Sequence, residues 1–413
     1  MPEAFIIDAC RTPRGIGKVG KGALAHLHPQ HLAATVLKAI AERNDLNTAE
    51  VDDIIWGTSS QAGAQGADLG RMAALDADYD TRASGVTLDR FCGSGITTAS
   101  LAAAQVMSGM EDLVIAGGTE MMSYTGSTAD PHEPPMLDKG NLRLRAKHPQ
   151  SQQGVCADAI AAIEGIDRNA LDELALVSQQ RADQAIKDGR FMRSLISVHN
   201  EDGSVALDRD EFPRPQTTLE TLSNLKPVFG AWADIPVDDS GTTYGSLILQ
   251  KYPELTNIEA VHHAGNSSGV VDGAAAILLA SEGYANKHGL KPRARIIATA
   301  NMGDCPTLML NAPVPAARKV LAKAGLTVDD IDLFEINEAF AVVAEKFIRD
   351  LNLDREKVNV NGGAMALGHP IGATGSVLIG TLLDELERSG KRRGLVTMCA
   401  AGGMAPAIII ERV

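Results

Sequence analysis

Cys92 stands one residue before Gly93-Ser94-Gly95. Strand formers Val86, Thr87 and Leu88 precede it, and an alanine-rich, proline-free stretch from Ile96 to Met107 follows. The pattern predicts a short strand, a tight turn and a helix, with the thiol at or near the helix N-terminus. Unpaired N–H groups and the helix dipole favour an anion there, and the thiolate is the reactive form of cysteine. This stretch alone allows two readings: a nucleophile, or a buried and inert cysteine in a Gly-Ser turn. Three further clusters place chemistry-bearing residues at turns. Asn337-Glu338-Ala339-Phe340 follows a predicted strand, Leu333 to Ile336, and Asn337 is a hydrogen-bond donor or a helix cap. Gly362 to Gly375 holds five glycines, with His369 before Pro370. His369 is the one group in that stretch that titrates near neutrality, and it is a base or a structural histidine. Cys399-Ala400-Ala401-Gly402-Gly403 puts a second cysteine at a strand end. A histidine to activate a thiol and an asparagine to donate toward an oxyanion make an acyl-transfer set. The second cysteine adds another group able to move a proton.

Such turns need a scaffold that returns them to one place. Ala4 to Ala9 reads as a buried strand, Arg11-Thr12-Pro13-Arg14-Gly15 as a loop, and His31 to Asn44 as a helix with Leu32, Val36, Leu37 and Ile40 on one face. Val51 to Trp56 and Asp112 to Ala116 read as strands. This alternation implies an α/β fold with a central sheet. From Tyr124 to about Asn257 the regularity fails, and prolines, charges and helices such as Arg168 to Asp188 dominate. That is an excursion over the sheet, too large for a simple loop. Ala274 to Ala280 then resumes as a strand, and the order repeats. Arg293 to Thr299 matches Ala4 to Asp8, and Leu326 to Phe334 matches Leu46 to Ile54. Val358-Asn359-Val360 matches Val86-Thr87-Leu88, and Gly394 to Met398 matches Asp112 to Ala116. The shared order argues for duplication. The expected division is a first half over residues 1–282, with its core at about 1–123 and 259–282 and an inserted loop domain at about 124–258. A second half covers 290–413.

The chain has 413 residues, 45% of them apolar, and a net charge of -14. That charge argues against nucleic-acid or anionic-membrane binding, though not against a small anionic ligand on a local basic patch. Five widely spaced cysteines without paired zinc spacing imply free thiols in a reducing compartment. No apolar run approaches the ~20 residues of a membrane span. The start leads straight into a strand, and the end carries no sorting address, so the expected location is cytoplasmic.

The chain resembles the thiolases, the family of acetyl-CoA acetyltransferases and 3-ketoacyl-CoA thiolases, over nearly its full length. The resemblance rests on Arg11-Thr12-Pro13, Cys92-Gly93-Ser94-Gly95, Ala116 through Ser123, Asn337-Glu338-Ala339-Phe340, Gly368-His369-Pro370 through Gly375, and Cys399 with its glycines. It implies a thiolase-like fold of two duplicated α/β halves with a loop domain inserted in the first. It also implies ping-pong chemistry without a permanently bound cofactor or metal, coenzyme A serving as substrate and product. Cys92, with His369 as base, would carry the acyl thioester, and Cys399 would exchange the substrate α-proton. His369 and a water on Asn337 would form one oxyanion hole, and the backbone N–H groups of Cys92 and Ala401 the other. Arg214 matches the family's nucleotide-side arginine, and Ala264 and Ser268 match its pantetheine loop. Read without the family, Arg214 is equally an ordinary surface charge and Ser268 a turn residue. A homodimer or homotetramer is implied.

The chain departs from the family in three places. Ala401 replaces a glycine, which a backbone donor tolerates if φ is negative. Gln152 to Asp158 replaces the usual His-Met-Gly-x-Thr-Ala-Glu segment, so acyl preference does not carry over. About 28 extra residues, roughly Gly230 to Asn257, read as a hairpin forming a lid or subunit contact. Two rivals remain. A ketoacyl synthase lacks the second catalytic cysteine, so Cys399 argues against it. A non-catalytic acyl-CoA carrier or scaffold is countered by the intact set of four residues.

Overall fold

The computed structural model describes residues 3–129 and 136–413. In chain order the principal strands are β1 (Ala4–Arg11), β2 (Asp53–Gly57), β3 (Val86–Leu88), β4 (Leu113–Met121), β5 (Val271–Ser281), β6 (Ala294–Gly303), β7 (Leu333–Ile336), β8 (Arg393–Thr397) and β9 (Met404–Arg412). The principal helices are α1 (Pro29–Arg43), α2 (Leu69–Asp76), α3 (Ser94–Ser108), α4 (Gln153–Glu164), α5 (Arg168–Lys187), α6 (Tyr244–Lys251), α7 (Pro313–Ala324), α8 (Ala341–Asp350) and α9 (Ile371–Ser389).

The strands follow one path, β7-β8-β9-β6-β1-β5-β4-β2-β3. Its middle is thin, because β1 and β6 share only the pairs Phe5↔Arg295 and Ile6↔Ala294. On either side the order is the same. β2 pairs parallel with β4, and β7 with β8; β4 pairs antiparallel with β5, and β8 with β9. The duplication extends to single atoms. The Asp52 carboxylate accepts the N–H groups of Asp112 and Leu113, each at 2.9 Å. Asp332 does the same for Arg392 and Arg393, also at 2.9 Å.

Side chains alternate between faces along each strand, so both faces of each half-sheet are apolar. Ala276, Leu278 and Ala280 of β5 pack with α1 and α2, whereas Ile277 and Leu279 pack with α3 and α9. Ala407 and Ile409 of β9 pack with α7 and α8, whereas Ile408 and Ile410 join the α3–α9 core. The result is five layers, with the two central helices between the half-sheets. Those helices cross where glycines allow contact of backbones. A Cβ on Gly375 would lie 2.2 Å from the nitrogen of Ile96, and one on Gly95 would lie 2.6 Å from the nitrogen of Ser376.

Three local expectations change. Strand β4 continues through Gly117 and Gly118, because a side chain there would strike Trp56 or the Gly372 carbonyl. Residues 358–360 form no strand beyond a bridge at Val358. Asn359 turns left-handed at φ +47°. Its side chain instead bonds the N–H and C=O of Ile336, at 2.9 and 2.8 Å. The extra segment is helical, not a hairpin. Thr243 and Ser246 cap α6 reciprocally. Tyr244, Leu247 and Ile248 lie at helical spacing and enter the core that also holds Cys399. Only the turn at Asp238, closed by Val237 N–H to Thr242 C=O at 2.7 Å, keeps hairpin character.

Candidate active site

Strand β3 hands the chain to a strained turn. Phe91 lies at φ +50°, and its N–H reaches Asp89 Oδ1 at 2.6 Å. Ser94 Oγ accepts the Arg90 N–H at 2.9 Å and donates to the Phe91 carbonyl at 2.7 Å. Cys92 is held between these locks at the head of α3, 6% exposed. Burial pushes its thiol well above the ordinary range, and Cys399, Glu120 and Asp89 add to that, outweighing its own backbone N–H. Desolvation thus outweighs the favourable setting of the helix terminus. The thiol needs a base.

His369 is the candidate base. It is 5% exposed, and its backbone N–H is held by the Gly269 carbonyl at 2.9 Å. Nδ1 lies 2.6 Å from Thr374 Oγ1, which also lies 2.9 Å from the Pro370 carbonyl. A carbonyl only accepts, so the hydroxyl proton goes to Pro370, and the Nδ1 proton is donated to Thr374. That leaves a lone pair on Nε2, which has no partner. Burial and then the Arg14 charge lower the His369 pKa to about 3, so the ring is neutral at pH 7.

Asn337, at the end of β7, is fully buried with neither amide atom bonded. Cys399, at the end of β8, is 1% exposed, and burial pushes its thiol up to about 12 against its own backbone N–H. Ala400 and Met404 exchange both backbone hydrogen bonds, at 2.7 and 3.1 Å. This pinches Ala401-Gly402-Gly403 into a turn in which both glycines take positive φ and Ala401 does not. Among the described residues, neither the Cys92 nor the Ala401 N–H is taken by a carbonyl.

Cross-links bring these turns together. Ser376 Oγ donates to the Gly95 carbonyl at 3.2 Å, tying the head of α9 to that of α3. The Ser268 N–H bonds Ala339 at 2.9 Å, and the Ala341 N–H bonds Asn266 at 2.9 Å. The loop of Ala264 and Ser268 therefore lies along the Asn337 and His369 turns. Ala264 is exposed and Ser268 half-buried. Arg214 is exposed beside them: its guanidinium lies 5.5 Å from the Phe212 ring, which fills the space at Gly269.

Several contributors are not singled out by the sequence analysis. Glu120 accepts from Ser59, Thr58, Gln65 and the Gly372 N–H, binding the first half to the His369 turn. Asp172 receives His263 Nε2 and Asn266 Nδ2, each at 2.9 Å, and stiffens the Ala264 loop. Asp158, in the segment that departs from the family, accepts His262 Nδ1 at 2.7 Å. Acidic residues inside apolar runs, such as Glu120 and Glu335, were the available clue. All five cysteines are free. Among the described residues, no group of three or more His, Cys, Asp or Glu is arranged to hold a metal ion. No helix there is long and apolar enough to cross a membrane.

A duplicated five-layer α/β fold, with a buried thiol and a neutral imidazole at its helix crossing, is the architecture of an acyltransferase. The thiolase N-terminal domain model matches residues 4–235, and the thiolase C-terminal domain model matches residues 290–412. The chain belongs to the thiolase family. It is 40% identical to a beta-ketoadipyl-CoA thiolase of Pseudomonas aeruginosa, over 100% of this chain and 99% of that one. It is 38% identical to a steroid 3-ketoacyl-CoA thiolase of Mycobacterium tuberculosis, over 100% and 95%. A crystal structure of the Bacillus anthracis acetyl-CoA acetyltransferase superposes with a TM-score of 0.83 at 33% identity, covering 100% of this chain and 99% of that one.

Proposed function

We propose that this thiolase cleaves 3-ketoacyl-CoA with coenzyme A, or runs the reverse condensation of acetyl-CoA, by a ping-pong route through a thioester on Cys92. His369 Nε2 takes the Cys92 proton as sulfur attacks the carbonyl. In thiolysis the C2–C3 bond breaks, and Cys399 protonates the departing enolate of acetyl-CoA. Coenzyme A then enters, gives its thiol proton to the Cys399 thiolate and takes the acyl group from Cys92, whose thiolate recovers its proton from His369. The N–H groups of Cys92 and Ala401 stabilise one oxyanion; His369 and a water on Asn337 stabilise the other. Arg214, Ala264 and Ser268 contact coenzyme A, and no permanent cofactor is required. The observation that carries this reading is the free His369 Nε2, kept neutral and of fixed tautomer, on a turn tied through the heads of α9 and α3 to the turn that holds the buried Cys92 thiol.

The names of the relatives put 3-ketoacyl groups with aliphatic, steroid or carboxylate-ended chains within the candidate substrates, and fatty-acid β-oxidation among the candidate settings. We assign the halves to residues 1–282 and 290–413 with the insertion at about 124–258, supported by the repeated strand order. We also assign a cytoplasmic homodimer or homotetramer. Mass spectrometry after incubation with acetyl-CoA tests the core of the reading: one acetyl group on Cys92 is expected. An unmodified Cys92 would favour a non-catalytic carrier. A turnover survey over 3-ketoacyl-CoA chains, including a carboxylate-ended one, then fixes the substrate.

A further inference from the structure

Between Gly368 and Thr374 of the His369 turn and the end of β7 lies a small cavity lined by Arg14, Glu335, Asn337, Gly368, Thr374 and Thr381 among others, in which the centre of a water molecule has about 10 Å³. That is room for a single water, which needs two or more polar partners. Two polar side chains without partners border it. Glu335 is 2% exposed with Oε2 unbonded, and Asn337 is fully buried with Oδ1 and Nδ2 unbonded. Glu335 belongs to β7 and Asn337 is two residues further on, so both project to the same face.

An isolated buried carboxylate is costly, and the group stays neutral instead. Burial holds Glu335 well above the ordinary carboxylate range, with Glu338 and Glu385 adding to it and Arg14 and Arg181 opposing. A neutral carboxyl has an O–H to donate. Asn337 has the complementary need. If its NH2 faces the substrate oxygen, Oδ1 faces away and requires a donor. Thr374 is committed to Pro370 and His369, and the Nε and Nη1 of Arg14 to Asp210 and the Gly368 carbonyl.

We propose that Glu335 is a positioning residue: through one water in this cavity it donates toward Asn337 Oδ1, and so keeps the Asn337 NH2 turned to the substrate. The assignment deepens the thiolase reading above and rests on it for the kinetic effect. It accounts for an acidic residue in the apolar run Leu333-Phe334-Glu335-Ile336.

An atomic-resolution crystal structure should show one water within hydrogen-bonding distance of both the Glu335 carboxyl and Asn337 Oδ1. A structure with no such water overturns the proposal, whatever the activity. In thiolysis assays, E335L should lower kcat by about 10- to 100-fold, less than loss of an oxyanion donor itself, with KM nearly unchanged. Its melting temperature should change little, since the carboxyl that is removed makes no direct hydrogen bond to a protein group. E335Q retains a donor and should recover kcat to within about threefold of wild type. In an N337A background, E335L should add less than about twofold, because the two act on one group. Wild-type kcat in E335L, or full additivity with N337A, would also overturn it. If E335L fails to fold, E335M serves the same test. A wild-type protein without thiolysis refutes the functional reading instead, and the crystallographic result still decides the role of Glu335.

Discussion

The two halves of the sheet carry the same backbone and opposite chemistry. Asp52 and Asp332 anchor equivalent strand pairs, so counting forward sets Gly57 opposite Asn337 and Thr119 opposite Cys399. In the first half those places are occupied by packing. Gly57 leaves room for Ser94 and the Gly372 carbonyl, and Thr119 accepts the Trp56 indole N–H at 3.1 Å. In the second half they hold a buried amide without partners and a thiol. Duplication therefore supplies geometry twice, and at these matched places satisfied polar groups separate the first half from the second. Buried polar atoms normally find partners, so the open amide of Asn337 and the open Nε2 of His369 mark a place that a ligand would complete.

The sharpest break is at the crossing itself. Cys92→Ala is expected to abolish turnover and acetyl labelling with a wild-type circular dichroism spectrum. Acyl transfer well above the uncatalysed rate would reject Cys92 as nucleophile. Cys399→Ala should separate the steps. Carbon–carbon bond formation needs removal of an α-proton and should fall by at least about 100-fold, whereas acetylation of Cys92 persists. Equal loss of both steps would make Cys399 structural.

Matched substitutions in the two halves test the contrast directly. Asn337→Ala should lower kcat by about 100-fold without lowering the melting temperature. Thr119→Val, in a place the first half uses for packing, should leave kcat unchanged. It should still cost about 1–3 kcal/mol, because the Trp56 N–H is left buried and unbonded. Denaturant midpoints and steady-state rates measure both, and a reversed pattern would dissolve the distinction. His369 supplies a pH version. Its folded pKa of about 3 lies below the ordinary value. Between the two values the unfolded chain holds more protons, so stability falls as pH falls through that window. Moving from about pH 7 to about pH 4 should cost the wild type about 2–3 kcal/mol more than His369→Gln. Equal acid sensitivity would mean that the ring is protonated in the folded protein.

This distinction also explains what could be read from the chain. Cys92, Asn337, His369 and Cys399 stand in local motifs whose residue types announce chemistry, and the repeated strand order announced the layers. Glu120 and the Asp172–His263 pair act through partners far away in sequence, and the one local mark is an acidic residue inside an apolar run, as at Glu120 and Glu335. The sequence pattern ends the strand at Ala116, before Gly117 and Gly118, because the demand on those glycines, close approach of Trp56 and Gly372, is tertiary. The segment around Leu247-Ile248 suggested strands by its apolar run, and the reciprocal cap of Thr243 and Ser246 decides for a helix.

The smallest effect is expected farthest from the crossing. Arg214 is exposed, its backbone N–H fixed by Gln179 Oε1 at 2.9 Å and its guanidinium over Phe212. Gln179 in turn donates to the Met365 carbonyl at 3.3 Å, so the Arg214 backbone is tied to the His369 side of the cleft. Its side chain makes no ion pair among the described residues and is available to a ligand. The phosphates of coenzyme A lie far from the reacting carbon, so such a contact acts equally on ground and transition states. Arg214→Ala should therefore raise KM for coenzyme A substrates by about 3- to 10-fold with kcat nearly constant, an exposed charge–charge contact being worth about 1 kcal/mol. Higher ionic strength should shrink the difference between variant and wild type. An unchanged KM would place Arg214 away from the nucleotide; a fall in kcat alone would place it in the supporting structure of the His369 turn.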